Sequence, residues 1–136
     1  MVPLKLMLSN FMSYKTTEEL DFTGIHVACL SGNNGHGKSA LLDAMTWALW
    51  GWARGHRYGQ GGNSADELIH QGQTDMEVAL EFLADGTKYR ILRKHSKGSR
   101  GRGSTTLLDL QMNTGSDFLS VSEPSIIGTE RRIQGI

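Results

Sequence analysis

The chain has 136 residues, and its 14 lysines and arginines are balanced by 14 aspartates and glutamates, so no global field draws it toward nucleic acid or a membrane surface. Hydrophobic residues at 38% and charged residues at 21% are far from the composition of a disordered chain and predict one folded unit. No apolar run approaches the roughly 18 residues of a spanning helix, the N-terminus lacks a secretory layout, and one cysteine, Cys29, excludes an internal disulfide, so a soluble cytoplasmic protein is expected.

Leu4, Leu6 and Leu8 alternate with Lys5, Met7 and Ser9, the period of two that predicts a half-buried strand. Polar residues 10–17 predict a turn and residues 18–22 a short second strand. Residues 25–30 are almost continuously apolar, as in a strand covered on both faces. Over residues 38–50, Leu41, Leu42, Ala44, Met45, Ala48, Leu49 and Trp50 fill helical spacing nearly all the way round, which predicts a buried helix of about three turns. Five glycines between residues 51 and 62 read as a flexible connection, and Ser64 with Glu67 has capping-box spacing for one helical turn. The remainder predicts strands. Val78, Leu80 and Phe82 alternate, Asp85 and Gly86 form a two-residue hairpin turn, and Tyr89 and Ile91 lie on the return strand. Residues 106–112 predict a further strand with Leu108 and Leu110 inward, and residues 118–121 another. Ile133 and Ile136 sit at helical spacing in a helix expected over residues 129–136, interrupted by the end of the chain, which suggests a fragment.

One motif carries chemistry. Residues 32–39, Gly-Asn-Asn-Gly-His-Gly-Lys-Ser, match G-x-x-x-x-G-K-[ST], and the motif stands between a predicted buried strand and a predicted helix, the context it requires. Gly35 and Gly37 lack a Cβ, so the backbone can turn successive N–H groups around a phosphate. The helix starting near Lys38 adds unpaired N–H groups and the positive end of its dipole. Lys38 is positioned to reach the β and γ phosphates and to contact the phosphoryl group in the transition state, and Ser39 to ligate Mg²⁺. Gly32, Asn33, Asn34, Gly35, His36, Gly37, Lys38, Ser39 and Ala40 are therefore the expected binding residues for ATP with Mg²⁺. A dinucleotide fingerprint requires G-x-G-x-x-G, which this loop lacks.

With strand, loop and helix in place, the chain resembles the N-terminal part of the ATPase head of the SMC-like DNA double-strand-break repair family, SbcC-type. The resemblance is carried by Asn10-Phe11-Met12-Ser13-Tyr14, Asp21-Phe22-Thr23-Gly24, the motif itself, Leu41-Leu42-Asp43-Ala44, Ala48-Leu49-Trp50-Gly51, and the stretch from Thr87 through Arg93. It implies an α/β fold, a P-loop NTPase lobe of the ABC/SMC type with a mixed sheet and an antiparallel β portion around the P-loop helix. Residues 1–136 would then be the first half of a head whose second half follows a long coiled coil. Two such heads would sandwich ATP as a homodimer. The other implied partners are the C-terminal half of the same protein, a repair nuclease and DNA, at the nucleoid. Ser13 and the segment Ile69, His70 and Gln71 would also approach the nucleotide. Two positions depart from the family: Met12 stands where Arg or Lys is common, and Ala40 where Ser or Thr often follows the motif.

Residues 88–102 hold seven bases and no acid, so Arg93, Lys94, Lys97, Arg100 and Arg102 are candidates for DNA phosphates, against a solvated hairpin edge that discourages strand addition. Leu107-Leu108-Asp109-Leu110 is too short a run for a Walker B, and no catalytic base is named. Trp47, Trp50 and Trp52 read as core or subdomain contacts rather than an adenine platform. The leading expectation is an ATP-driven repair ATPase that hydrolyses ATP only with its second half. The alternatives are a chromosome-organising SMC-like protein or another P-loop ATPase or phosphotransferase. A third is a non-hydrolytic module that works through its basic hairpin.

Overall fold

The computed structural model describes residues 1–15, 17–23, 38–53, 56–57, 65–98 and 103–136, without the side chains of Lys38, Ser39, His56 and Arg57. The strand expected over residues 25–30, the loop at 32–37 and the cap at Ser64 lie outside the described residues.

Among the described residues the first strand, β1 (Val2–Ser9), lies one in from the edge of a six-stranded sheet with β2 (Glu18–Asp21), β5 (Asp75–Ala84), β6 (Thr87–Ser96), β7 (Thr105–Asn113) and β8 (Phe118–Ser120), ordered β2-β1-β5-β6-β7-β8. Every described pairing in it is antiparallel. Alternation sets its inward face. Leu6, Leu8, Val78, Leu80, Phe82, Ile91, Leu108 and Leu110 are buried, while Lys5, Glu77, Glu81, Arg90 and Lys94 lie on the other side. Pro3, which has no N–H to donate, sits where the β1–β5 register shifts, between Pro3 and Lys5. The β5–β6 connection is the two-residue turn read from sequence. Asp85 and Gly86 have φ of 49° and 78°, and positive φ at both central positions is what a type I′ turn demands.

Helix α1 (Lys38–Trp50) covers the inward face with Leu41, Ala44, Trp47 and Ala48 buried against the sheet. The expectation of a helix buried on all sides needs correction, because Leu42 is 56% and Trp50 43% exposed. Apolar side chains show that a surface can be buried, and cannot show that a covering layer exists. Among the described residues of the glycine-rich connection, β3 (Trp52–Ala53) pairs with β4 (His56–Arg57), and Trp50 stacks on Trp52 at 5.7 Å. After a short 3₁₀ turn, Ala65–Leu68, the chain enters β5.

The closing helix, α2 (Ile126–Gln134), begins three residues before the expected start. Ser125, in an extended conformation, caps it by accepting the Gly128 N–H at 3.0 Å, and Thr129, buried, donates to the Ser125 carbonyl at 3.0 Å while accepting the Glu123 N–H. Ile126 and Ile127 are exposed, so the first turn carries no amphipathic signal. No helix among the described residues is long and apolar enough to cross a membrane.

Candidate functional site

The last two residues of the phosphate-loop motif, Lys38 and Ser39, are the first two residues of α1. A helix leaves its first N–H groups without intrahelical partners and gathers partial positive charge there. The first turn of α1 contains no acidic residue to neutralise that charge, so this helix start suits an anion. Ala40, the next residue, is buried at 4% exposure and helps seat this end of the helix. The six loop residues from Gly32 to Gly37 lie outside the described residues.

Two distant segments that the resemblance links to nucleotide, one carrying Ser13 and one carrying Ile69, His70 and Gln71, are joined directly. Phe11 bridges both Tyr14 and Ile69. The Met12 N–H donates to the Leu68 carbonyl at 2.7 Å, and the His70 N–H to the Asn10 carbonyl at 2.7 Å. The His70 side chain adds a third tie through Nδ1 to the Met12 carbonyl at 2.7 Å. A carbonyl only accepts, so this contact requires the proton on Nδ1. These bonds hold Asn10 and Met12 at φ of 55° and 49°, a left-handed conformation that costs a non-glycine residue on the order of 1 kcal/mol. Ser13 and Gln71 remain exposed on the joined loops, whereas Ile69 is buried and anchors them. Gly72, at φ 91°, closes the turn in which the Gln73 N–H reaches the His70 carbonyl. Phe11 fastens the pair to α1, with its ring 5.9 Å from that of Trp47.

The 3₁₀ turn that precedes this segment is tied to the sheet by a contact that sequence reading missed. His95, buried on β6, meets Asp66 Oδ1 through Nε2 at 2.6 Å and Thr106 Oγ1 through Nδ1 at 2.7 Å. The alternation of β6 places residue 95 on the inward face, which was the available signal.

The basic run is redistributed by that same alternation. Arg93 is not on a DNA-facing edge. It is 3% exposed on the inward side and engages Glu130 and the Ala48 carbonyl, so it leaves the set of DNA candidates. Lys94 is exposed and pairs with Glu77 at 3.5 Å. Arg90 pairs with Glu81 and lies 3.8 Å over the Phe118 ring. Lys97 is exposed near the hairpin tip, and Arg100 and Arg102 lie outside the described residues.

Asp109, set aside as a Walker B acid, accepts from Ser120 at 2.5 Å, Ser122 at 2.6 Å and Gln111 at 2.8 Å. Burial by itself would raise its carboxyl, but the three hydrogen bonds outweigh that and hold it below the ordinary carboxylate range. It is a structural acceptor joining β7, β8 and the segment that leads to α2.

Comparison with known proteins bears on the family and the fold. The chain is 36% identical over its whole length to the SbcC component of the SbcCD nuclease of Deinococcus radiodurans, of which it covers 14%. It is also 36% identical, over 68% of its length, to a protein named probable DNA double-strand break repair Rad50 ATPase from Aquifex aeolicus, of which it covers 9%. The chain therefore spans about a tenth of these curated relatives. Its fold matches, over 100% of its length and with a TM-score of 0.63 at 21% identity, a solved structure from work on ATP-driven dimerization and DNA-stimulated activation of SMC ATPases, covering 77% of that chain. That likeness shows a P-loop ATPase head fold. A family model described as an AAA domain matches residues 5–131, which takes in β1, the motif, α1 and the joined loops, and the chain belongs to that family.

Proposed function

We propose that the chain is the ATP-binding first half of a DNA double-strand-break repair ATPase head. The observation that carries this reading is the coincidence of the motif with the fold: Lys38 and Ser39 open a helix whose first turn is free of acids, in a chain 36% identical to a nuclease component over its full length.

In this reading the amides of residues 32–37 and the N-terminus of α1 hold the β and γ phosphates of ATP. Lys38 reaches the β and γ phosphates and contacts the phosphoryl group in the transition state, and Ala40 packs the helix end without a further hydroxyl. Ser39 would help to hold Mg²⁺, which would supply charge neutralisation to the phosphates. Ser13 and Gln71, exposed on loops locked together through His70 and Ile69, line the approach to the nucleotide. No residue of this chain is assigned as base for the attacking water. Hydrolysis then needs the second half of the head, and binding of ATP between two heads drives their engagement. A nuclease subunit and DNA are the proposed partners, in the cytoplasm at the nucleoid, with Lys97, Arg100 and Arg102 as the DNA-facing bases and Lys94 at their margin.

The test compares Mg-ATP binding and steady-state turnover in residues 1–136 and in the full-length polypeptide. Weak binding with negligible turnover by residues 1–136, and turnover restored in the longer protein, is expected. Robust hydrolysis by residues 1–136 alone contradicts the proposal. For DNA, changing Lys97, Arg100 and Arg102 together to glutamine is expected to lower affinity and to reduce the slope of log K against log salt by about 0.9 for each phosphate no longer neutralised. An unchanged slope removes the hairpin from the DNA interface.

A further inference from the structure

Helix α1 has no basic residue in its own last turn, so the partial negative charge and unpaired carbonyls at that end need an outside partner. Gly51, at φ 74°, satisfies one of them by donating its N–H to the Trp47 carbonyl at 2.8 Å. The next carbonyl, of Ala48, accepts two N–H groups of Arg93, Nε and Nη2, each at 3.3 Å. Nη1 of the same guanidinium donates to Glu130 Oε1 on α2 at 3.1 Å, and its central carbon lies 5.7 Å from the Trp47 ring. One side chain, from β6, thus fixes the end of α1 against both the sheet and α2.

The 13 residues of α1 form a stiff rod about 20 Å long, with Lys38 and Ser39 at the opposite end. A shift along the axis at Ala48 therefore appears at the phosphate-facing end with little loss. Resting on the nucleotide site proposed above, we infer that Arg93 is a positioning residue for that site, through which the placement of α2 is felt at Lys38 and Ser39. Glu130 is the accessible side of the link, with its side chain 29% exposed against 3% for Arg93, so a movement of α2 loosens the pair first.

The test measures the Mg-ATP dissociation constant of the full-length polypeptide, below the melting temperature of each variant. Arg93→Gln is expected to weaken binding about tenfold and Glu130→Ala about threefold, since each loses a charge-assisted hydrogen bond. Glu130→Gln, which keeps an acceptor, is expected to recover most of the affinity, and Lys5→Gln on the opposite face of the sheet, where Lys5 pairs with Glu19, to leave it unchanged. A purely architectural role lowers melting temperatures and leaves the dissociation constants of the folded variants at the wild-type value, which overturns the inference. If Arg93→Gln does not fold, Glu130→Ala decides in the same way. Lys38→Ala separates the two levels. Binding lost in Lys38→Ala but intact in the Arg93 and Glu130 variants sinks this inference alone, and binding unchanged in Lys38→Ala sinks the site on which it rests.

Discussion

Gly51 and Gly86 both hold positive φ, at 74° and 78°, yet their surroundings differ. A Cβ at Gly51 would lie 3.1 Å from Arg93 Nη1 and 3.2 Å from Glu130 Oε1, whereas at Gly86 nothing stands within 4 Å. Alanine at either position carries a conformational cost of about 1 kcal/mol. At Gly51 it must also push back the half-buried Arg93–Glu130 pair by a few tenths of an ångström, so Gly51→Ala is expected to destabilise by about 2 kcal/mol and Gly86→Ala by about 1 kcal/mol in urea unfolding. Equal losses would mean that the Arg93–Glu130 pair yields freely. Asp109 supplies a pH-dependent counterpart. Its carboxyl is held low in the fold, so its contribution is complete above the unfolded value of about 3.9 and disappears as pH falls through the lowered folded value. Asp109→Asn is expected to be less stable than wild type at neutral pH, the gap beginning to narrow near about pH 4 and closing as pH falls through the lowered folded value. A constant difference across that range would show that the carboxylate charge is not what Ser120 and Ser122 stabilise. At this scale the sequence was a partial guide. The motif that makes Lys38 and Ser39 candidates for phosphate needed only spacing, while the burial of Arg93 was hidden because a run of bases looks solvated until strand alternation turns every second one inward.

Among elements, those with a strong period were legible and those defined by contacts were not. The alternation in β1, β5 and β7, the Asp85–Gly86 turn and the extent of α1 all followed from local pattern, because burial of one face imposes a period of two or 3.6 on the residues themselves. The beginning of α2 did not, since Ile126 and Ile127 are exposed and the signal there is a hydrogen bond from Gly128 to Ser125 rather than a hydrophobic stripe. Ser125→Ala is therefore expected to cost about 1 kcal/mol, seen as a lower urea midpoint, and Ser125→Asp to restore it. No loss in the alanine variant would mean that α2 is held by Thr129 and Ile133 alone. The short β3–β4 pair was masked by its glycines, whose conformational freedom is compatible with a turn between strands as well as with a loose linker.

For the whole molecule, the sheet acts as a template that ties together segments distant in the chain. β6 does most of this, since its inward residues hold the core through Ile91, the end of α1 through Arg93 and the 3₁₀ turn through His95. That convergence was not readable from sequence, because the partners of residue 95 lie 29 and 11 residues away and no local pattern encodes such distances. Family resemblance linked the Ser13 loop and residues 69–71 each to a nucleotide, but their joining to one another was not read from sequence; it rests on the paired backbone of Phe11 with Ile69 and the bonds at Met12 and His70. Leu42 and Trp50 remain exposed on α1, on the side of the helix that the sheet does not cover.

Every functional role proposed for this chain depends on whether the start of α1 grips a triphosphate. The direct measurement is equilibrium binding of Mg-ATP to the full-length polypeptide, by calorimetry, with wild type and Lys38→Ala compared at one temperature and salt concentration. Loss of the lysine is expected to weaken binding by at least about tenfold, as removal of a charge-assisted phosphate contact requires, without lowering the melting temperature of the nucleotide-free protein. Equal dissociation constants for the two proteins would contradict it.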